Sequence, residues 1–358
     1  MIDPRTFTKD WLLAVNKELG WNRQETQLKN MEKAVAALHL LELLANAEVQ
    51  FIFKGGTSLI LLLNKIYRLS VDIDIIVEDS IGNINGIFSQ ICTKSVLFTH
   101  YERNEREGEA AHNTEHYKFF YRSFADDSEN PYVLLDIYKS TNPYTRLLDL
   151  ELASKILYSK GDNVVVRVPD INSILGDKLT AFAPDTIGIS LSAEPGHRPK
   201  RIEVLKQLFD IGNLFDMASD MKSIRATYIA VATHEIKRRE LDITIEDVLK
   251  DSMRHCYIIG HAGKTDKPVY DSIAKGYRDF SRFVADLSFD DNHAILAASK
   301  TAYLANLLLL GSDDFEKYDD DADIENWTIS NNGFQSYNEY KYSNPMSFFY
   351  WFKSLKGI

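Results

Sequence analysis

Asp72 and Asp74 stand one residue apart inside an apolar run, Ser70 to Glu78, and a pair of adjacent glycines, Gly55 and Gly56, lies shortly upstream. On a strand, residues i and i+2 face the same side with Cα atoms roughly 6.5–7 Å apart. Two carboxylates so placed can converge on one hard cation or bridge two. Paired metals in phosphoryl chemistry sit about 3.5–4 Å apart and serve the attacking and leaving oxygens. Magnesium suits such a pair, because it takes oxygen ligands and keeps positions open for phosphate. Aspartate is disfavoured in strands, so two of them among Val71, Ile73, Ile75, Ile76 and Val77 need a reason. The plain alternative is an exposed polar strand face.

The glycines supply the second half of the chemistry. Gly55 and Gly56 permit backbone conformations closed to other residues and let a ligand approach the main chain. Thr57 and Ser58 add hydroxyls at a helix start, where free N–H groups attract phosphate. The alternative is an ordinary strand-to-helix turn with Thr57 as N-cap. Lys54 precedes the glycines instead of ending the motif, so this is not a Walker loop. Together the segments read as a phosphate cradle beside a divalent-metal clamp, which points to chemistry on a nucleoside triphosphate. Arg68 either clamps phosphate bidentately or caps the preceding helix. His112 and His116 have spacing for a transition metal, but no third ligand follows them. No Ser-His-Asp or Cys-His grouping stands out.

The elements that must position these residues are partly legible. Leu28, Met31, Val35, Leu38, Leu41 and Ala45 recur at helical spacing, which predicts a helix over Leu28 to Val49. Gln50 to Phe53 reads as a buried strand, Lys54 to Thr57 as a turn, Ser58 to Ile66 as a helix and Ser70 to Glu78 as a strand. Ile84 to Ile91 reads as helical. Phe119 to Phe124, Tyr132 to Tyr138 and Val164 to Val168 read as further strands. From Ile171 the pattern turns helical, through Lys200 to Ala218 and on to about Gly311. The boundary is expected near Pro169, giving a catalytic domain over residues 1–168 and a mostly helical one over 169–358 that completes the cleft. The acidic stretch after Ser312 reads as a solvated loop. The aromatic end, YNEYKYSNPMSFFYWFKSL, is expected to dock on the body, since so many exposed rings invite aggregation.

The chain has 358 residues, 45% apolar and 26% charged, which are ordinary proportions for a folded protein of two or three packed units. Its formal charge of −11 argues against holding nucleic acid by global electrostatics, though not against a local basic groove. Two cysteines, Cys92 and Cys256, fit a reducing cytosol. The first residues lack a secretory pattern and no apolar run is long enough to cross a bilayer, so a cytoplasmic location without membrane contact is expected.

Taken in order, strand, Gly-Gly turn, helix and strand with Asp-x-Asp resemble the nucleotidyltransferase superfamily. More closely, four blocks resemble the nucleotidyl transferase AbiEii/AbiGii toxin family: KGGTSL from Lys54, Arg68-x-Ser70-x-Asp72-Ile73-Asp74, GDKLTAFAPDTIGI from Gly176, and KQLFDIGNL from Lys206. They spread over Lys54 to Phe215. The resemblance implies an α/β (α+β) fold: a small mixed sheet with flanking helices, the triphosphate site at one sheet edge, and a mostly helical second half. It implies that Gly55, Gly56, Thr57 and Ser58, with Lys54, Arg68 and Ser70 beside them, hold the nucleotide. Asp72 and Asp74 would bind magnesium, and two ions are implied. Asp136 fits the superfamily's third carboxylate on a neighbouring strand. Lys178 would contact nucleotide phosphates, and Asp210 would act as base or site organiser. Gln207 stands where many members carry an acidic residue, and its helical offset is expected to point it away from Asp210.

The resemblance further implies a growth-arresting toxin with a separately encoded antitoxin, using a nucleoside triphosphate. Some relatives act on the tRNA acceptor end, which makes tRNA the leading acceptor. A protein side chain or small hydroxylated molecule is the alternative acceptor, and a non-catalytic nucleotide-binding module is the further one. The basic cluster His197, Arg198, Lys200 and Arg201 lies at the end of a long loop, Pro184 to Pro199, and is where acceptor phosphates would be sought. Its plain alternative is a solvated loop end.

Overall fold

The structure is a computed structural model that describes residues 1–21, 25–78, 81–105, 113–126, 131–192, 199–285 and 289–356. The chain divides into two compact units. The first comprises Met1–Asn142, Arg146–Asp170 and Arg282–Leu287. It contains α1 (Lys9–Glu18), α2 (Glu25–Asn46), β1 (Ile52–Lys54), α3 (Gly55–Leu62), β2 (Ile73–Val77), α4 (Ile84–Lys94), β3 (Phe98–Arg103), β4 (Thr114–Tyr121), β5 (Tyr132–Lys139), β6 (Leu147–Glu151) and β7 (Val165–Pro169).

The described strands form one seven-stranded sheet in the order β3-β4-β5-β2-β1-β7-β6. It is mixed: β2 runs parallel to β5 and β1 parallel to β7, while the other pairs are antiparallel. Alternation along the strands gives the sheet one apolar face. Ile73 and Ile75 of β2, Val133, Leu135 and Ile137 of β5, and Tyr117 and Phe119 of β4 are buried there. They share one core with Met31, Val35, Leu38 and Leu41 of α2. These helix residues follow the 3.6-residue period that marks a helix packing one stripe onto a sheet. Phe88 of α4 meets Tyr117 and Phe119 edge-on, with centroids 4.9 Å away in each case. The other face carries the half-buried Asp74, Asp136, Tyr138 and Lys118.

Two strands were not legible. The sequence of β3, FTHYER, is mostly polar because it is an outer strand, and LLDLE of β6 is the opposite outer strand. The strand expected from Phe119 ends at Tyr121 and begins at Thr114. Beyond it the chain leaves the sheet and folds onto Glu32 of α2. One carboxylate oxygen of Glu32 accepts from the Ser123 hydroxyl (2.8 Å), from the Phe124 amide and from the Ala125 amide (2.9 Å). The carboxylate is 1% exposed, so these donors replace water for it.

A late part of the chain also joins this unit. Arg68 and Val284 form an isolated antiparallel bridge. The Leu69 amide donates to the Phe283 carbonyl, and the Ala285 amide donates to the Tyr67 carbonyl, both at 2.9 Å. The segment leading into β2 thereby gains main-chain partners.

The second unit comprises Pro143–Thr145, Ile171–Ser281 and Ser288–Ile358. Its described elements are helical: α5 (Ile171–Ala181), α6 (Arg201–Met217), α7 (Met221–Arg238), α8 (Ile245–Gly260), α9 (Lys267–Ala274), α10 (Tyr277–Phe280), α11 (Asp291–Leu309), α12 (Tyr340–Ser343) and α13 (Pro345–Ser354). Gly176 explains itself by packing, since a Cβ there would lie 2.6 Å from the Ile224 carbonyl oxygen of α7. The aromatic end docks as expected, with Phe348, Tyr350 and Trp351 of α13 buried. Asp319, Asp320, Asp321 and Asp323 in the acidic stretch are exposed.

Glu32→Ala should lower the unfolding free energy by about 2–3 kcal/mol, because charge-assisted hydrogen bonds are lost and buried amides stay dry. Urea unfolding monitored by fluorescence measures this. A variant as stable as the parent would show that the cap is replaceable.

Candidate active site

Strand register assembles the site. Lys54 of β1 lies opposite Asp74 of β2, Asp74 lies beside Asp136 of β5, and Asp136 lies opposite His116 of β4. Directly paired residues share a face. One ammonium, two carboxylates and one imidazole therefore form a polar row across four neighbouring strands. The row sits in the middle of the sheet, not at one of its edges as the sequence suggested. The reason is that β7 and β6 extend the sheet beyond β1, and β4 and β3 extend it beyond β5.

Asp72 immediately precedes β2 and stands outside its ladder. Its carbonyl accepts a 2.5 Å hydrogen bond from the Thr57 hydroxyl, which ties the first turn of α3 to the carboxylate pair. Asp72, Asp74 and Asp136 are all half-buried. Asp136 is held by His116, whose Nδ1 lies 2.6 Å from its Oδ1. The Tyr138 hydroxyl lies 3.5 Å from Asp74 Oδ1, and the Lys54 ammonium sits 4.9 Å from the centre of the Tyr138 ring.

The two glycines have separate tasks. Helix α3 begins at Gly55 itself, with no intervening turn, and ends at Leu62 instead of Ile66. Gly55 has φ +79°, and a Cβ on it would fall 2.1 Å from Asp74 Oδ2. A Cβ on Gly56 would fall 2.6 Å from Arg68 Nη2 and 2.7 Å from Ser70 Oγ. The absence of side chains thus lets the helix start touch Asp74, Arg68 and Ser70 at once. Arg68 is buried, and its guanidinium lies at the N-terminal end of α3, not at the C-terminal end that a helix-capping role would need. Thr57 and Ser58 are fully buried. Thr57 does not cap the helix, and the Ser58 hydroxyl donates to the Gly55 carbonyl at 2.8 Å. The first-turn N–H groups of a helix lack intrahelical acceptors, and glycine leaves them open to an anion.

Lys178 and Asp210 meet in the second unit. The Lys178 ammonium is 2.9 Å from Asp210 Oδ2, with the side chains 7% and 2% exposed. It also donates to Gln207 Oε1 at 3.1 Å. The expectation that Gln207 points away is therefore wrong. Positions i and i+3 share a helix face, so Gln207 and Asp210 converge on one ammonium. Lys200 and Arg201 stand at the start of α6, where Arg201 Nε donates to Ser272 Oγ at 3.3 Å. Arg198, His197 and His112 lie outside the described residues. His116 had been read only as half of a metal pair with His112. Its link to Asp136 follows from register, which no local spacing reveals.

Among the described residues, Asp185, Asp251 and His255 bring three ligand-type atoms within 4.8 Å of one another. Their bonds brace a turn: Asp251 Oδ2 accepts from the Asp185 amide (2.9 Å) and the Thr186 hydroxyl (2.8 Å), and Arg254 takes Asp185 Oδ2 (2.6 Å). Burial raises both thiols, Cys92 above its ordinary value and Cys256 well above it, so neither is poised as a nucleophile.

Over residues 40–304 the chain matches the family described as "Nucleotidyl transferase AbiEii toxin, Type IV TA system". Two solved structures are similar. One is MenT4, a nucleotidyltransferase toxin from Mycobacterium tuberculosis H37Rv, with 15% identity and TM-score 0.47 over 84% of this chain and 99% of that one. The other is an antigenic nucleotidyltransferase-like protein from Paracoccidioides brasiliensis, with 15% identity and TM-score 0.36 over 58% of this chain and 89% of that one. No curated protein sequence matches.

Lys178→Ala leaves the Asp210 carboxylate buried without its ammonium and should cost about 3–5 kcal/mol of stability. The double variant Lys178→Met with Asp210→Leu should recover most of that loss. Denaturant titration of the three proteins checks both statements, and a single variant of unchanged stability would contradict them.

Proposed function

The chain belongs to the nucleotidyl transferase AbiEii toxin family, and from that premise we propose that it moves a nucleotidyl group from a nucleoside triphosphate to the 3′ end of tRNA, releasing pyrophosphate. It is a nucleotidyltransferase and the toxin of a toxin–antitoxin pair. Loss of usable tRNA would then stop translation and growth, and a cognate antitoxin would restrain it. No described helix is long and apolar enough to cross a membrane.

One observation carries the reading. Gly55 presses its main chain against Asp74 while Asp74 and Asp136 lie side by side on parallel strands. A helix start that attracts phosphate is thereby joined to carboxylates that attract cations. The donors Asp72, Asp74 and Asp136 are all oxygen and only half-buried, which fits magnesium. Magnesium held by these three residues would supply positive charge to the phosphates and acidify the acceptor hydroxyl.

The chain's own groups divide the remaining work. The amides at the start of α3, with Arg68 beside Gly56, would orient the triphosphate. Lys54 would add charge at the β1 end of the row. Asp136, kept in one orientation by His116, would align the attacking hydroxyl or take its proton. The family resemblance gives Lys178 and Asp210 a part in handling the nucleotide, and the local clustering of basic residues gives Lys200 and Arg201 a part in holding acceptor phosphates. Substitution of each, read against transfer rate, tests those parts separately. The tRNA acceptor is favoured by the same resemblance.

Purified protein incubated with total tRNA, magnesium and each labelled triphosphate should place label on RNA. Asp74→Ala, or excess chelator, should reduce transfer by about a thousandfold or more. Label confined to protein or small molecules would displace tRNA, and full transfer by Asp74→Ala would remove the carboxylates from the mechanism.

Gly55→Ala should be equally inactive, since its methyl group would overlap Asp74 and its φ is unfavourable for alanine. Retained nucleotide transfer by that variant would mean the helix start does not serve the phosphates.

A further inference from the structure

The polar row continues into a different surface on the same sheet face. Alternation along β4 puts His116, Lys118 and Phe120 on one side, away from the buried Tyr117, Phe119 and Tyr121. Along β5 the same side carries Asp136, Leu134 and Tyr132. Register then sets Phe120 beside both Tyr132 and His100 of β3. The Phe120 and His100 rings stack with centroids 4.4 Å apart and planes 1° from parallel. Phe120 and Tyr132 centroids are 5.6 Å apart. The Lys118 ammonium lies 5.1 Å from the Tyr132 centroid, and Lys33 of α2 lies 5.6 Å from it on its own approach. Phe120 and Tyr132 are half-buried, and the His100 side chain is 52% exposed.

This surface has no packing reason to be aromatic, because the core of the sheet is on the opposite face. It has the composition of a base-stacking platform: flat rings interleaved with ammonium groups that pair with phosphate. Among the described strand residues that flank the rings, Glu102, across from Lys118, is the one carboxylate; it is 61% exposed, and its Oε1 lies 3.9 Å from His100 Nε2.

We propose that Phe120, His100, Tyr132 and Lys118 bind the terminal bases of a single-stranded nucleic-acid acceptor. The proposal rests on the nucleotidyl-transfer reading and identifies its acceptor class. Position decides between the two nucleotides in the reaction. Gly55 and Gly56 lie at the β1 end of the row, and the platform begins on the far side of Asp136. In-line displacement needs the attacking and leaving oxygens on opposite sides of the phosphorus. With the triphosphate at the glycines, the attacking strand comes from the β4 side. Four residues of strand, about 13 Å, separate the His116 and Phe120 positions. That leaves room for a terminal nucleotide at Asp136 and a base behind it on the rings.

The test uses the full chain and a short fluorescein-labelled single-stranded RNA with a free 3′ hydroxyl, followed by anisotropy. Phe120→Ala should weaken RNA binding roughly tenfold or more, the loss expected for one base–ring stack. Phe120→Trp should retain binding. His100→Ala, at an exposed site where folding is not at risk, should weaken it severalfold. Affinity for a non-hydrolysable triphosphate, measured by calorimetry, should not move in any of them. Wild-type RNA affinity in both alanine variants overturns the platform, as does label passing to protein with no measurable RNA binding. Asp74→Ala should lose transfer while keeping RNA affinity. A wild-type protein that transfers to no acceptor would sink the transfer reading, and the anisotropy series would still decide the platform.

Discussion

The constraint on which the site depends is the contact between Gly55 and Asp74. A strand ends and a helix begins at one residue, and that residue must be in the left-handed region with no side chain. Only then can the helix start lie against a carboxylate on the next strand. A helix N-terminus and an aspartate attract each other weakly. Here the same positive end is also the natural seat of a phosphate. In the proposed reaction, a cation joining carboxylate and phosphate would relieve their competition for one helix end.

The sheet gives the carboxylates their setting. Its buried face is packed by α2 and α4, so β2 and β5 are fixed in register by apolar side chains that point away from the chemistry. A slip by one residue would turn Ile73 or Ile75 outward and bury Asp74. Apolar packing on one face thus guarantees polar alignment on the other. Asp136 gains a further restraint from His116, and Asp74 from Tyr138.

Much of this was readable in the chain, and the failures have physical causes. The Gly-Gly and Asp-x-Asp segments were legible because each is local and breaks a propensity rule. The helix of residues 25–46 and the strand of residues 132–139 announced themselves by their periods. Asp136 could be picked out as an acid inside an apolar strand, yet its partner His116 could not, because cross-strand pairing is not written in either strand alone. Gln207 was misjudged because its angle on the helix was weighed against Asp210 alone, without the lysine both residues reach. The outer strands β3 and β6 lacked the apolar run of inner strands, having one neighbour each. The expectation of a site at the sheet edge failed because strand order is not written in any one strand: β7 and β6 extend the sheet beyond β1, and β4 and β3 extend it beyond β5.

The bridge between Arg68 and Val284 has a consequence for how the protein is made. Tyr67 and Leu69 emerge from the ribosome early, whereas Phe283 and Ala285, which complete their main-chain bonding, emerge after most of the helical unit has been synthesised. Domains tend to fold in order of translation, but here the stretch that delivers Arg68 to the glycines must wait for the chain to come back. A fragment ending at Asp170 would carry the glycines and the aspartates with that stretch unpaired. The nascent chain therefore completes its first unit only after residues 282–287 have been made.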